Sequence, residues 1–184
     1  MPARLRPTLL AEAVWQVDLE ALWQRGIRGI ILDLDNTLAP WRRDEVVPEA
    51  RAWIAAAQGR GFRLCLVSNA SSRRRLRRVA GALGILQAGI GSKPFPAAFR
   101  RAMAAMGTDP GSTCAIGDQV LTDVLGANWL GLTTVLVSPV SPREPPHTRF
   151  IRLLERPLRR RWRSQAAQEG THNAPADTSR APRA

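Results

Sequence analysis

Apolar positions along this chain follow two rhythms that alternate. Short unbroken apolar runs occur in IRGIILDL (27–34), FRLCLVS (62–68), ILQAGIG (85–91), TCAIGD (113–118) and LTTVLVS (132–138). Runs of this length and richness in Ile, Val and Leu predict strands buried on both faces. Between them lie stretches of helical period: PEARAWIAAAQGRG (48–61), SSRRRLRRVAGALG (71–84), FPAAFRRAMAAMG (95–107) and VLTDVLGANWLG (120–131). A further helix is predicted over PTLLAEAVWQVDLEALWQRG (7–26), with Leu10, Val14, Val17 and Leu22 near helical spacing and Gly26 close to its end. Strand and helix in strict alternation predict a parallel sheet with helices on both faces, a three-layer, doubly wound, Rossmann-like α/β domain.

After Pro146 a basic, helix-like segment runs to about Arg163, where the domain is expected to end. Residues 164–184 have almost no large apolar side chains and read as a disordered polar tail. The length of 184 residues fits one domain, and 45% hydrophobic content suffices for a packed core.

Composition narrows the function. No apolar stretch reaches the roughly 18 to 20 residues of a membrane-spanning helix, since TLLAEAVW is interrupted by Glu12, and a cytoplasmic location is expected. Cys65 and Cys114 sit inside apolar runs and read as small core residues. His147 and His172 stand far apart, which leaves a histidine-based metal site or serine–histidine triad without support. A net charge of +12 points to polyanionic partners. Of the 27 basic residues one is lysine, Lys93, so that position asks for a reason of its own.

In a parallel α/β sheet, ligands bind beyond the carboxyl ends of the strands. Polar residues fall at four such ends: Asp33 and Asp35 after the first run, Ser68 and Asn69 after the second, Lys93 after AGIG, and Asp118 after TCAIG. Asp33, Asp35 and Asp118, with Asp123 nearby, would form a hard oxygen site suited to Mg²⁺. Asp123 reads equally as an acidic residue favoured in a helix's first turn, and Ser68 and Asn69 as turn formers. A lysine and a Ser/Asn pair opposite the carboxylates would bind an anion, and the whole set describes phosphoryl transfer.

The ordered motifs DLDNT (33–37), VSN (67–69), SKP (92–94) and GDQVLTD (117–123) resemble the four motifs of the haloacid dehalogenase (HAD) superfamily. Finer detail, in GIILDLDNTLAPW, GSKPFPAAFRRA and IGDQVLTDVLGANWLGL, resembles the YqeG branch of class IIIA phosphatases, which is similar to mitochondrial and plastid phosphatidylglycerophosphate phosphatases. The resemblance implies Asp33 as nucleophile forming an aspartyl-phosphate and Asp35 as general acid/base. It implies Mg²⁺ held by Asp33, the Asp35 backbone carbonyl and Asp118, with Asp123 as a further ligand or support. Ser68 and Lys93 would hold the phosphoryl oxygens, Asn69 would join them in binding phosphate or shape its loop, and Thr37 would shape the loop of the first motif.

Thirty residues separate Thr37 from Ser68, and 24 separate Ser68 from Lys93. Each interval holds one helix and one strand, which leaves no room for the inserted cap that selects substrates in many members of this superfamily. The resulting open site is expected to admit a phosphate displayed on something large, such as a lipid head group at a membrane, a protein or a nucleic-acid end; the resemblance, together with the positive charge, makes phosphatidylglycerophosphate the best specific substrate. Two basic segments bear on this. SSRRRLRR puts five arginines on a helix starting beside Ser68, where an anion or a merely solvated face is expected. In TRFIRLLERPLRRRWR, Ile151, Leu154, Leu158 and Trp162 project to one side and Arg149, Arg152, Arg156, Arg159 and Arg163 to another. That pattern fits peripheral contact of residues 149–163 with an anionic membrane, or a last helix closing the core. Pro157 is expected to kink or split it. The competing reading is a nucleic-acid or ribosome-associated binding protein on the same fold.

Overall fold

A computed structural model describes residues 3–69, 72–90, 93–143 and 146–172. Six strands form one all-parallel sheet: β1 (Leu9–Leu10), β2 (Gly29–Leu32), β3 (Arg63–Ser68), β4 (Leu86–Ile90), β5 (Thr113–Gly117) and β6 (Thr133–Leu136), in the order β1-β6-β5-β2-β3-β4. The chain steps outward from β2 to β4, then returns to β5 on the other side of β2. That reversal makes the crevice between β2 and β5 the place where ligands enter such sheets.

Strand residues alternate between two cores, as the period of two requires. Ile30, Leu32, Leu64 and Leu66 face α1 (Leu19–Gln24), α2 (Pro48–Gly59) and α3 (Arg73–Leu83), while Ile31, Cys65, Val67 and Ala115 face α4 (Pro96–Met106) and α5 (Leu125–Asn128). Both cysteines are buried and free, in the core role expected of them. Each crossover from β2 to β3 and from β3 to β4 carries one helix and no inserted domain. Pro48 and Pro96 open α2 and α4, and Ser72 caps α3 by accepting a hydrogen bond from the Arg75 N–H.

Three expectations need correction. The predicted helix over 7–26 is instead the edge strand β1, a 3₁₀ turn at Val14–Gln16 and the short α1. Parallel pairing of Leu9 and Leu10 with Val135 and Leu136 at the sheet edge outweighs the local helical period. Pro157 does not split the last helix, α6 (Pro146–His172); its ring is exposed, and Glu155 and Trp162 dock the helix on either side of it. The expected boundary after Arg163 therefore falls within a helix, and residues 173–184 lie outside the described residues. Among the described residues no helix is long and apolar enough to cross a membrane.

The faces of α6 also differ from the helical projection. Trp162 is buried against Val120, Val124 and Leu136, with Leu158 packed beside it. Arg152 and Arg159, expected on the outer face, turn inward to Asp118 and Glu155. Leu158 and Trp162 of the expected apolar side thus pack on the core. The side chains of Leu154 and Arg163, like Gly91 and Ser92 of the third motif, lie outside the described residues.

Candidate active site

Strand register brings the first and fourth motifs together. Leu32 pairs with Ile116, and the Asp33 N–H donates to the Ile116 carbonyl at 3.0 Å, so Asp33 and Asp118 leave adjacent strands at the same edge. A π-helical turn, Val120–Val124, then carries Asp123 back over Gly117. Carboxylate oxygens of Asp33, Asp118 and Asp123 lie within 4.8 Å of one another, all three buried.

Lys93 reaches this cluster from the β4–α4 loop. Its Nζ stands 2.6 Å from Asp33 Oδ1 and 2.6 Å from Asp123 Oδ1, with the side chain buried. Asn69 holds that loop: its Oδ1 accepts from the Lys93 N–H at 2.8 Å and its Nδ2 donates to the Lys93 carbonyl at 3.0 Å. The side-chain amide expected to bind phosphate is therefore engaged on the lysine's backbone. Thr37 is fully buried, and its hydroxyl lies 3.4 Å from Asp33 Oδ2. Ser68 is buried at the end of β3.

Asp35 is set apart from the three carboxylates. Its Oδ2 pairs with Arg75 Nη1 at 2.9 Å, and its Oδ1 accepts from the Arg42 N–H at 2.9 Å. Asn36 (φ 62) ties this loop to the segment after β6, donating to the Arg143 carbonyl and accepting from the Trp41 N–H.

Electrostatics favour a cation. Three buried carboxylates face one ammonium and, at Asp118 Oδ2, the Arg152 guanidinium at 2.6 Å. Burial pushes the Asp33 carboxyl up to about 8; Lys93 pulls it down, while the Asp123 and Asp118 charges push it further up. Burial likewise raises Asp118 to about 6, with Arg152 opposing. Lys93 is held above the usual lysine range, because the two carboxylates outweigh its burial. Asp118 Oδ1 is buried and accepts no hydrogen bond among the described residues. An orphan oxygen in an all-carboxylate site with surplus negative charge fits a hard divalent cation, which would remove the cost of ionising Asp33.

Several of these residues escaped the sequence reading. Arg75 is one of five near-identical arginines, and nothing singles it out. Glu155 had a signal, as the one acid between Arg149 and Arg163. It accepts from the N–H groups of Val120 and Leu121 at the start of the π turn, at 3.0 and 3.3 Å. Through this contact and the Arg152 and Arg159 contacts to Asp118, α6 braces the loop that carries the fourth motif.

Comparison with known proteins agrees with this geometry. Residues 90–140 match the HAD-hydrolase-like family. The chain is 37% identical over 150 residues to the probable phosphatase YqeG of Bacillus subtilis (strain 168), covering 82% of this chain and 87% of that protein. It is 28% identical over 190 residues to the chloroplastic phosphatidylglycerophosphate phosphatase 1 of Chlamydomonas reinhardtii, covering 94% and 68%. Among solved structures, the cobalt-bound deoxy-D-mannose-octulosonate 8-phosphate phosphatase of Haemophilus influenzae has the same fold, with a TM-score of 0.51 at 21% identity over 61% of this chain and 69% of that one. Identity of 37% through most of both chains places this protein among the HAD-like hydrolases, as a capless phosphatase of the YqeG branch.

Proposed function

We propose that the protein hydrolyses phosphomonoesters through an aspartyl-phosphate on Asp33, with Mg²⁺ as cofactor and phosphatidylglycerophosphate as substrate. The observation that carries the reading is the placement of Lys93 Nζ 2.6 Å from both Asp33 and Asp123, inside the three-carboxylate cluster. When bound by Asp33, Asp118 and Asp123, the cation would neutralise charge on the phosphoryl oxygens.

An Asp33 carboxylate oxygen attacks phosphorus, the P–O bond to the leaving alcohol breaks, and Asp35 gives that oxygen its proton. In the second half Asp35 takes a proton from water, whose oxygen attacks the same phosphorus; phosphate leaves and Asp33 is restored. The proton lent in the first half is regained in the second, so one residue serves both. Arg75 and the Arg42 N–H orient Asp35 for this, and Lys93, with Ser68 beside it, balances charge on the transferring group. The lipid assignment is supported by the likeness to the phosphatidylglycerophosphate phosphatase of Chlamydomonas reinhardtii and by the capless mouth.

The test is phosphate release with dihexanoyl-phosphatidylglycerophosphate, sugar phosphates and nucleotides in Mg²⁺. Wild type should prefer the lipid, and Asp33→Asn should lose at least about a thousandfold in kcat. Equal turnover by both proteins would sink the nucleophile. No preference among substrates would remove the lipid.

A further inference from the structure

Beside Asp35 opens a cleft of about 880 Å³, walled by Trp41, Arg42, Arg43, Arg143 and Arg149, with Glu45 the one acid among the described residues that line it. Its size lies in the range of about 300–1,000 Å³ typical of small-molecule sites. Pro40, Val47 and Pro142 supply the rest of an apolar wall. Among the described residues, none of the four guanidinium groups has a carboxylate partner. All four are exposed to solvent, which screens part of their mutual repulsion, and an anion entering the concavity meets four cations at once.

The backbone gives a second, independent indication. Arg42 has φ 59, in the left-handed region that costs a side-chain-bearing residue roughly 1–2 kcal/mol. A glycine would relieve that strain and keep the N–H that holds Asp35. Arg42 instead lays its guanidinium 4.6 Å from the Trp41 ring centroid, at the cleft wall. Strain of this kind persists where a side chain is needed in one place.

Position decides what the cleft receives. Under the reading above, Asp35 protonates the leaving oxygen, so the alcohol lies on the Asp35 side of Asp33. The residue that fixes Asp35 Oδ1 is Arg42 itself, and Asn36 binds the Arg143 carbonyl. We propose that this cleft is the leaving-group site, selecting phosphomonoesters whose alcohol carries a second, phosphodiester anion beside an apolar body. The arginines take the diester, and Trp41 with the prolines covers the apolar part. This assignment rests on Asp35 acting as the acid.

Titration calorimetry with dihexanoyl-phosphatidylglycerol, which has the diester and no monoester, tests the site without turnover. The zwitterionic dihexanoyl-phosphatidylcholine is the comparison, and the proteins are wild type, Arg42→Gly and the double variant Arg143→Ser/Arg149→Ser. Arg42→Gly preserves the Asp35 hydrogen bond and relaxes the backbone, so it keeps the fold. Wild type should prefer the anionic lipid, and each variant should weaken that binding about five- to tenfold. In parallel, the ratio of kcat/KM for dihexanoyl-phosphatidylglycerophosphate to that for p-nitrophenyl phosphate should fall by a similar factor. Equal affinity of wild type for the two lipids, or variants indistinguishable from wild type, would overturn the site while leaving the phosphatase intact. Arginine-dependent diester binding without turnover of the lipid monoester would remove the substrate named above and uphold the cleft's selectivity.

Discussion

Gly117 and Asp123 occupy one another's space. A Cβ built on Gly117 would stand 2.3 Å from the Asp123 carboxyl carbon and 2.3 Å from its Oδ2. The last residue of β5 must therefore lack a side chain for the third carboxylate to settle over the strand end and meet Lys93. Gly117→Ala should displace Asp123, lower phosphatase activity at least about a hundredfold, and destabilise the fold by about 1–3 kcal/mol through overpacking. Phosphate release and thermal melting measure the two effects. Full activity in this variant would show that Asp123 is dispensable.

Asn69 holds the backbone of the active-site lysine. Its two hydrogen bonds to the Lys93 backbone set where Nζ stands. Asn69→Ala should lower kcat about ten- to a hundredfold, with a stability loss within about 1.5 kcal/mol. Asn69→Asp keeps the acceptor for the Lys93 N–H and loses the donor, and should fall between the two. If the amide instead bound the phosphoryl group, KM for small phosphomonoesters would rise in step with the loss.

The carboxylate cluster makes stability depend on pH and cation together. Asp33 goes from 3.8 to about 8 on folding, and Asp118 from 3.8 to about 6. Between those values the folded state binds more protons than the unfolded chain, so stability falls as pH rises through that window. In chelator, the melting temperature should drop from pH 5 to pH 8. Millimolar Mg²⁺, binding the ionised folded site, should reverse the drop at pH 8 and do little at pH 5. A melting curve indifferent to Mg²⁺ at pH 8 would argue against a cation between these carboxylates.

Glu155 couples the last helix to the active-site loop. It is buried, accepts from two backbone N–H groups at the start of the π turn, and lies 3.3 Å from Arg159 Nη2. Glu155→Ala leaves those donors without their acceptor and takes from the Arg159 guanidinium its paired carboxylate, and should cost about 3–5 kcal/mol. Hydrogen exchange should rise at residues 119–124 more than at β2. Unchanged exchange there would show that α6 is peripheral to the site.

Much of the architecture was legible because burial leaves a periodic trace. Continuous apolar runs marked β2 through β6, and proline or serine at one end with glycine at the other bounded α2, α3 and α4. The edge strand β1 was not legible: two half-buried residues on an outer strand carry no alternation, and their pairing with β6 lies more than 120 residues away. The π turn was hidden likewise, since its sequence has an ordinary helical period.

The sequence by itself determined the parallel sheet, the strand ends at which Asp33, Asp35, Lys93 and Asp118 stand, and the lack of room for a cap, because these follow from local spacing and chain length. Only the tertiary structure decided how those residues divide their work. It joined Asp123 to Lys93, drew Asp35 away to Arg75 and Arg42, turned Asn69 onto the lysine's backbone, and brought Arg152 and Glu155 in from the last helix. Apart from the local bond between Arg42 and Asp35, 7 positions apart, those partnerships join residues 24 to 40 positions apart, through polar and charged groups that recur many times in the chain. Which arginine meets which carboxylate is set by the register of packed elements, and no local pattern encodes it.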